Sequence, residues 1–419
     1  MPLDDVTDLS ADDPALRRDP YPRYARLRAT APLVPAVVRG LPGWLATGHD
    51  TVQRLLADQR LSMDRSKAAP HLRELAPWVF ATSVSGLSRN MLLSDAPDHT
   101  RLRRPVSRAF TPRRVEELRP WTEDVCRGLI DRFRHRGQAE LVEEFAVELP
   151  LQVISELLGV PEKSRHDFRT WSVTAASEPD DPREALAAYR EISAFLSGLI
   201  TSKRKALALG NGGTDLLSAV IAAQNGTDAL DDDELRSMAF LLLLAGHETT
   251  ANVIGNSVLA LLRHPDRLAE LRDDPSATAA AVEELLRYDS VVAVANVRFA
   301  TEEIRMGDAV VAPGDAVLIG TAATGRDPAV FDDPDTLDFH RPSTRQHLGF
   351  GHGIHYCLGA PLARMELSVA LPALLRACDN LTLAVPEEQL VWRRSPNVRG
   401  VKQLPVTFTP GGEQARGAA

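Results

Sequence analysis

Apolar residues recur at helical spacing through most of the chain, and short alternating runs are confined to a few places. The longest apolar-rich stretch, Leu230–Arg263, opens with acidic residues and ends at His264–Pro265, so it predicts a helix of about 50 Å at 1.5 Å per residue. Leu33–Val38 and Trp44–Thr47 have the pattern of a small β-hairpin, and Ala316–Thr321 predicts a further strand. The pattern therefore indicates a mainly helical α+β protein with small β-sheets.

Composition narrows the class of protein. The 419 residues are 44% hydrophobic, and 48 basic against 57 acidic side chains leave a net charge of −9, which argues against nucleic acid and anionic membranes as partners. The longest strongly apolar run, Met238–Gly246, is too short to cross a bilayer, and the acidic N-terminus is neither a signal peptide nor an anchor. Three cysteines give no disulfide framework. We expect a cytoplasmic single domain over residues 1–419, with residues 1–18 as a loosely ordered arm.

One stretch combines glycines with a cysteine, namely Leu348–Gly359, LGFGHGIHYCLG. A helix is predicted to follow, so free backbone N–H groups and the positive end of the helix dipole would favour a thiolate at Cys357. Gly359 would let those N–H groups come close, and Phe350 can pack over the sulfur and exclude water. Two plainer interpretations stay open from the residues alone: an inert core cysteine, or half of a zinc site with His352 and His355.

The spacing of five residues in this stretch is more specific than any one of them. Phe350, Gly353, His355, Cys357 and Gly359 follow the pattern Phe-x-x-Gly-x-(Arg/His)-x-Cys-x-Gly, which resembles the haem-binding loop of the cytochrome P450 family. The resemblance implies that haem b (iron protoporphyrin IX) is the cofactor and that Cys357 is the axial metal ligand. It also implies a triangular, mainly helical fold.

A polar notch interrupts the centre of the long predicted helix at Ala245–Thr250, AGHETT. Gly246 permits close approach of a flat ligand, and the hydroxyl of Thr249 can loosen the helix by bonding a carbonyl one turn back. The plainer interpretation is a notch that faces solvent. The motif is similar to the family's distal-helix pattern, and that likeness implies that Glu248 and Thr249 are the acid and the alcohol that deliver protons.

Further cationic residues have the spacing of a carboxylate site. His99 and Arg103 lie four apart, so they share a helix face, although a solvated basic helix has the same pattern. The resemblance implies that His99, Arg103, Arg298 and His355 hold the two haem propionates. It also implies that Glu284 and Arg287, joined by Arg341, form a structural trio behind the loop.

The function implied by the resemblance is insertion of one oxygen atom from O2 into a medium or large lipophilic substrate, by hydroxylation or epoxidation, as a tailoring step in secondary metabolism. Electrons would come from NAD(P)H through a ferredoxin reductase and a ferredoxin, and a monomer is expected. Desaturation or ring coupling on the same scaffold, and a non-catalytic haem sensor or carrier, are the alternatives. The apolar segments expected around a substrate are Trp78–Leu92, Trp171–Val173, Met238–Ala245, Val291–Val294 and Pro396–Val398.

Overall fold

The computed structural model describes residues 7–9, 13–76, 87–176, 182–223, 229–342, 344–395 and 397–411. Helices dominate these ranges, and the predicted mainly helical fold is confirmed. The α-helices are α1 (Pro14–Arg18), α2 (Tyr21–Thr30), α3 (His49–Ala57), α4 (Pro70–Leu75), α5 (Asp98–Ala109), α6 (Pro112–Glu117), α7 (Arg119–Phe133), α8 (Glu148–Leu158), α9 (Arg165–Ala176), α10 (Pro182–Ala208), α11 (Leu216–Ala222), α12 (Asp232–Arg263), α13 (Pro265–Asp273), α14 (Thr278–Tyr288), α15 (Thr321–Thr324) and α16 (Ala360–Ala377).

The strands are short and form small sheets. They are β1 (Thr7–Asp8), β2 (Val34–Val38), β3 (Leu41–Ala46), β4 (Leu61–Ser62), β5 (Gln138–Glu140), β6 (Arg298–Ala300), β7 (Ile304–Met306), β8 (Ala309–Val311), β9 (Ala316–Ile319), β10 (Cys378–Leu383) and β11 (Pro405–Pro410). Among the described residues, one sheet has the order β1-β2-β3-β9-β6-β4, a second has the order β10-β11-β5, and β7 pairs with β8.

The predicted hairpin is present, because β2 and β3 pair antiparallel from Val34 opposite Leu45 to Val38 opposite Leu41. Between Val291 and Phe299 only Arg298 and Phe299 belong to a strand, since most of this stretch is irregular backbone. Strand β10 was not predicted, because it continues directly from α16 without a glycine or proline to mark the change.

The described part of the N-terminal arm is held in place, whereas the sequence predicted loose order. Strand β1 pairs parallel with β2. Arg399 donates to the carbonyls of Arg17 and Arg18, the latter at 2.8 Å, and its Nε donates to Asp289 at 2.8 Å. The end of α1 is thus tied to a buried ion pair, which supplies the order that the polar composition of the arm does not predict.

Helix α12 is the centre of the helical part and packs against α8, α10 and α16. Its N-terminus is a capping box: Glu234 N donates to the Asp231 carboxylate at 2.8 Å, and Asp231 N donates to the Glu234 carboxylate at 3.0 Å. The helix is long and apolar enough to span a membrane, but 56% of its most apolar window is buried within the fold, as in a core helix. Its second half, from Thr250 to Leu261, is buried throughout.

Helix α16 carries a carboxyl group into the core. Glu366 is fully buried, and neither of its oxygens has a hydrogen-bond partner among the residues that the structure describes. Burial raises the pKa of this carboxyl well above its ordinary value, because a carboxylate loses its hydration there without gaining a counter-charge. Burial therefore favours the neutral form of Glu366 in the folded protein.

The raised pKa of Glu366 leads us to expect a pH-dependent effect of Glu366→Gln on stability. The raised folded-state pKa makes the wild type lose stability as pH rises above about 4.3, the unfolded value, whereas the amide does not titrate. We expect the free energy of unfolding of the variant to increase relative to that of the wild type as pH rises above about 4.3, because only the wild type titrates there. Urea unfolding at several pH values measures this, with the exposed Glu388→Gln as control. A difference in free energy of unfolding between the variant and the wild type that stays constant with pH would contradict a raised pKa for Glu366.

Candidate functional site

The cysteine stretch forms a tight loop ahead of α16. Gly351 and Gly353 adopt φ of +75° and +74°, in the left-handed region that favours glycine, so the chain bends tightly ahead of the cysteine. The N–H of Cys357 donates to the carbonyl of Phe350 at 2.9 Å and closes the loop. This closure leaves the half-buried cysteine just before the first turn of α16.

The sulfur of Cys357 lies among groups that stabilise an anion. Burial raises the pKa of the thiol, while hydrogen bonds from the backbone N–H groups of Gly359 and Ala360 and the charges of Arg103 and Arg364 lower it. A Cβ on Gly359 would lie 3.8 Å from the sulfur, in ordinary contact. Glycine therefore keeps one side of the sulfur clear rather than relieving a clash, a different reason from the predicted one.

A buried charge cluster behind the loop was not predicted. Glu283 accepts a hydrogen bond from Arg364 Nη2 at 3.0 Å and lies 3.2 Å from His347 Nε2. Gly349 N donates to His347 Nδ1 at 3.1 Å, so Nε2 carries the proton and donates to Glu283. Against the effect of burial, the hydrogen bonds from His347 and Arg364 and the charge of Arg364 lower the pKa of Glu283 to about 2. Arg364 also lies over the ring of Phe350, 4.5 Å from its centroid, which joins the cluster to the loop.

Two histidines and two arginines predicted for the site converge beside the loop. The rings of His99 and His355 are 4.5 Å apart between centroids. Arg103 donates to two carbonyls of the cysteine loop at 3.2 and 2.6 Å, and Arg298 donates to two carbonyls at the end of α3 at 3.1 and 2.9 Å. The structure thus brings together residues from α5, β6 and the loop, of which those of α5 and the loop are more than 250 positions apart in the sequence.

The electrostatics of this cluster suit an anionic partner. Burial, with the charges of His99, Arg298 and Arg103, lowers the pKa of His355 to about 3, and burial lowers the pKa of Arg298 to about 10. Asp95, which the sequence did not single out, opposes both shifts. Its carboxylate accepts hydrogen bonds from Ser62 Oγ and Met63 N, at the end of β4. An added carboxylate here would meet an excess of positive charge.

These residues fit a haem. His99 is buried, yet neither ring nitrogen has a hydrogen-bond partner among the described residues, which is the environment expected of a donor to a bound acid group. Arg103 and Arg298 flank it, and a sulfur that can ionise lies on the adjoining loop. In the described ranges no group of three or more His, Cys, Asp and Glu side chains could hold a metal ion, so the zinc alternative has no support.

The polar notch of α12 has a specific geometry. Thr249 Oγ1 donates to the carbonyl of Ala245 at 2.7 Å, as the sequence predicted for a threonine that bonds one turn back. Glu248 is partly exposed and forms an ion pair with Arg393, whose Nη2 lies 2.9 Å from Oε1. The sequence required a partner for this acid but could not identify Arg393, which comes from 145 residues further along the chain.

Gly246 has a packing role that the sequence did not predict. A Cβ at this position would lie 3.1 Å from Cδ1 of Ile154 on α8, closer than most packed atoms. The missing side chain therefore allows α8 and α12 to pack closely, and it does not open the helix to a flat ligand on that side.

The predicted Glu284–Arg287–Arg341 trio is present and buried. Arg287 makes two hydrogen bonds to Glu284 at 2.7 Å, and Arg341 Nε donates to the same carboxylate at 3.2 Å. Arg287 also donates to the backbone carbonyls of Gly325, Pro334 and Thr336 at 2.6, 2.8 and 3.0 Å. The trio holds the irregular segment before the cysteine loop against α14.

Two of the apolar segments expected around a substrate meet each other, because Val292 and Val398 form an antiparallel bridge. Residues 78–86 of the first segment and Pro396 of the last segment lie outside the described residues.

Comparison with known proteins gives consistent matches over the whole chain. The model of a family described as Cytochrome P450 matches residues 179–396. The chain is 45% identical over 415 residues to Cytochrome P450 monooxygenase PikC of Streptomyces venezuelae, covering 98% of this chain and 96% of that one. It is 42% identical over 406 residues to 6-deoxyerythronolide B hydroxylase of Saccharopolyspora erythraea, covering 96% and 98%.

The solved structures agree with the sequence relatives. The tirandamycin C-bound P450 monooxygenase TamI superposes with a TM-score of 0.85 at 42% identity, covering 96% of this chain and 100% of that one. The fold described above is therefore shared across nearly the full length of both chains.

Proposed function

The chain belongs to the cytochrome P450 family, and we propose that it inserts one oxygen atom from O2 into a medium or large lipophilic molecule of secondary metabolism. The observation that carries the proposal is the position of the Cys357 sulfur, which receives two backbone N–H groups at the start of α16 beside a cluster of cationic side chains. The family implies a haem cofactor, and a thiolate-bound haem supplies the chemistry that activates dioxygen.

In this proposal Cys357 is the axial ligand, and His99, Arg103, Arg298 and His355 bind the propionates by charge-assisted hydrogen bonds. Two observations support this assignment. The two histidines and two arginines converge beside the loop, and neither ring nitrogen of His99 has a hydrogen-bond partner among the described residues. Phe350 and Gly359 would shape the space around the sulfur.

Glu248 and Thr249 are proposed to carry protons into the site. The threonine hydroxyl, whose own proton is committed to a helix carbonyl, can accept a hydrogen bond from water or from the acid. The glutamate is partly exposed, so it can exchange protons with solvent and hand them inward without any net change in its own charge. A sensor or carrier has no need of such a pair, which favours an enzyme.

The proposed substrate class is supported by the named relatives, one of which is a 6-deoxyerythronolide B hydroxylase and another of which is bound to tirandamycin C. The apolar segments around Val292 and Val398 pair with each other, and the carbonyl of the next residue, Arg399, accepts a hydrogen bond from Asn256 of α12. These features suit a lipophilic molecule of the size of a macrolactone or a polyketide.

A ferredoxin, reduced through NAD(P)H and a reductase, is proposed as the electron donor. Arg104 and Arg108 are exposed one turn apart on α5, next to the loop residues Ile354 and Tyr356, which are 51% and 42% exposed. Basic residues around exposed apolar side chains suit an acidic protein that docks close to the cysteine. We also propose that the protein acts in the cytoplasm as a monomer.

Incubation with ¹⁸O2 tests the proposed reaction. Purified holoenzyme, a [2Fe–2S] ferredoxin, its reductase and NAD(P)H are supplied with macrolactones and polyketides that include 6-deoxyerythronolide B and tirandamycin C. We expect at least one compound to shift the Soret band toward high spin and to yield a product that carries a single ¹⁸O atom by mass spectrometry. A product without new oxygen would instead indicate desaturation or ring coupling, and no shift with any compound would contradict the substrate class.

Arg298→Gln tests the propionate site. Loss of one charge-assisted hydrogen bond worth about 1.5–3 kcal/mol should speed transfer of haem to apomyoglobin by about tenfold or more. Arg305→Gln is the matched control, since Arg305 lies on the neighbouring β7, is exposed, and pairs with Glu303. Equal rates of haem loss for Arg298→Gln and the wild type would remove Arg298 from the site.

A further inference from the structure

A single guanidinium joins the acid of the α12 notch to another helix. Nη2 of Arg393 donates to Glu248 Oε1 at 2.9 Å and to the carbonyl of Ala176, the last residue of α9, at 2.6 Å. The side chains of Arg393 and Glu248 are 17% and 23% exposed, so water screens this pair only in part. The arrangement couples the position of a carboxylate to the end of a helix.

The backbone that carries Arg393 is itself fixed against α12. Trp392 and Val401 form an antiparallel bridge, and Arg393 N donates to Gly400 O at 2.9 Å. Gly400 packs on Asn252 so closely that a Cβ there would lie 1.9 Å from the amide oxygen. This strand pair therefore has little freedom to move relative to the helix that it touches.

Asn252 completes the connection, because its Nδ2 donates to the backbone carbonyl of Glu248 at 2.7 Å. The paired segments Trp392–Arg393 and Gly400–Val401 thus hold the side chain of Glu248 through Arg393. They hold its backbone through Asn252. Such a double attachment fixes the orientation of the carboxylate and not only its charge.

The end of α9 favours a cation at this position. Its last carbonyls carry the negative end of the helix dipole, and the Tyr189 hydroxyl donates to Ala175 O at 3.2 Å beside the Arg393 bond to Ala176. Burial, together with the charge of Glu248, raises the pKa of Tyr189, so the tyrosine remains a neutral donor. The bond from Arg393 to α9 therefore does not depend on its bond to Glu248.

We propose that Arg393 is the positioning residue of Glu248, and that it keeps the carboxylate at the notch in the orientation from which protons pass to Thr249. The inference rests on the proposed function, because Glu248 must carry protons for its position to matter. Arg393 undergoes no chemistry of its own: Glu248 takes up a proton from solvent, passes one inward and returns to the ionised form beside the guanidinium.

Dioxygen reduction without an added organic substrate gives a functional test. Two electrons and two protons convert O2 to hydrogen peroxide, whereas cleavage of the O–O bond with a second pair of electrons and protons gives two molecules of water. Holoenzyme with ferredoxin, reductase and NAD(P)H is assayed for both products. We expect Glu248→Gln and Arg393→Gln each to lower the rate of water formation by about a hundredfold, a loss at the lower end of those seen for proton-transfer groups. Arg393→Lys should restore much of it, and Arg190→Gln on the exposed face of α10 is the control for loss of one charge.

The double variant decides whether Arg393 acts through Glu248. Arg393→Gln combined with Glu248→Gln should form water no more slowly than Glu248→Gln alone, whereas independent effects that multiply would overturn the inference. An unchanged Arg393→Gln beside an impaired Glu248→Gln would overturn the inference and leave the proposed function standing. An unchanged Glu248→Gln would overturn both.

Hydrogen exchange supplies a readout that does not depend on turnover. In Arg393→Gln holoenzyme the amides that surround the last turn of α9 should exchange faster than in the wild type, while those of the second half of α12 should not change. Exchange at the end of α9 that is the same in both proteins would show that the bond to Ala176 is not maintained in solution, and would contradict the proposed attachment.

Discussion

The account depends on a sulfur anion placed at the start of α16. Burial alone opposes ionisation of Cys357, so the site works only if nearby groups offset the lost hydration. The backbone N–H groups of Gly359 and Ala360 and the guanidinium groups of Arg103 and Arg364 lower the pKa of the thiol, but burial outweighs them and leaves it above its ordinary value, so a bound haem iron would supply the rest of the stabilisation. The loop geometry, with its two left-handed glycines, brings these groups to the same sulfur.

The surrounding charge clusters explain why the loop stays where it is. Glu284 with two arginines holds the segment before it, and Glu283 with His347 and Arg364 holds the loop itself. Buried ion pairs of this kind contribute little net stability, but removing one partner is costly because the other is left without a counter-charge. Their value here is geometric: they fix the loop relative to α14 and α16. Arg393 has a similar geometric effect at the notch of α12, because it joins the side chain of Glu248 to the end of α9.

The sequence predicted the features that depend on local spacing. The loop glycines, the helix after Cys357, the His99–Arg103 face and the Thr249 back-bond all involve residues within a few positions of each other, where helix and turn geometry determine the outcome. The contacts that it missed join distant segments, such as Arg393 to Glu248, His347 to Glu283 and Asp95 to the cation cluster. Pairing of this kind depends on tertiary packing, for which a single sequence has no periodic signal. Gly246 shows the same limit, because only the structure places Ile154 of α8 against it.

The ferrous–CO spectrum tests the thiolate most directly. Reduced holoenzyme under carbon monoxide should show the strongly red-shifted Soret band of a thiolate-bound haem, and Cys357→Ala, reconstituted with haem, should lack that band. A red-shifted band that survives in Cys357→Ala, or a wild-type band at the position typical of histidine ligation, would contradict the account.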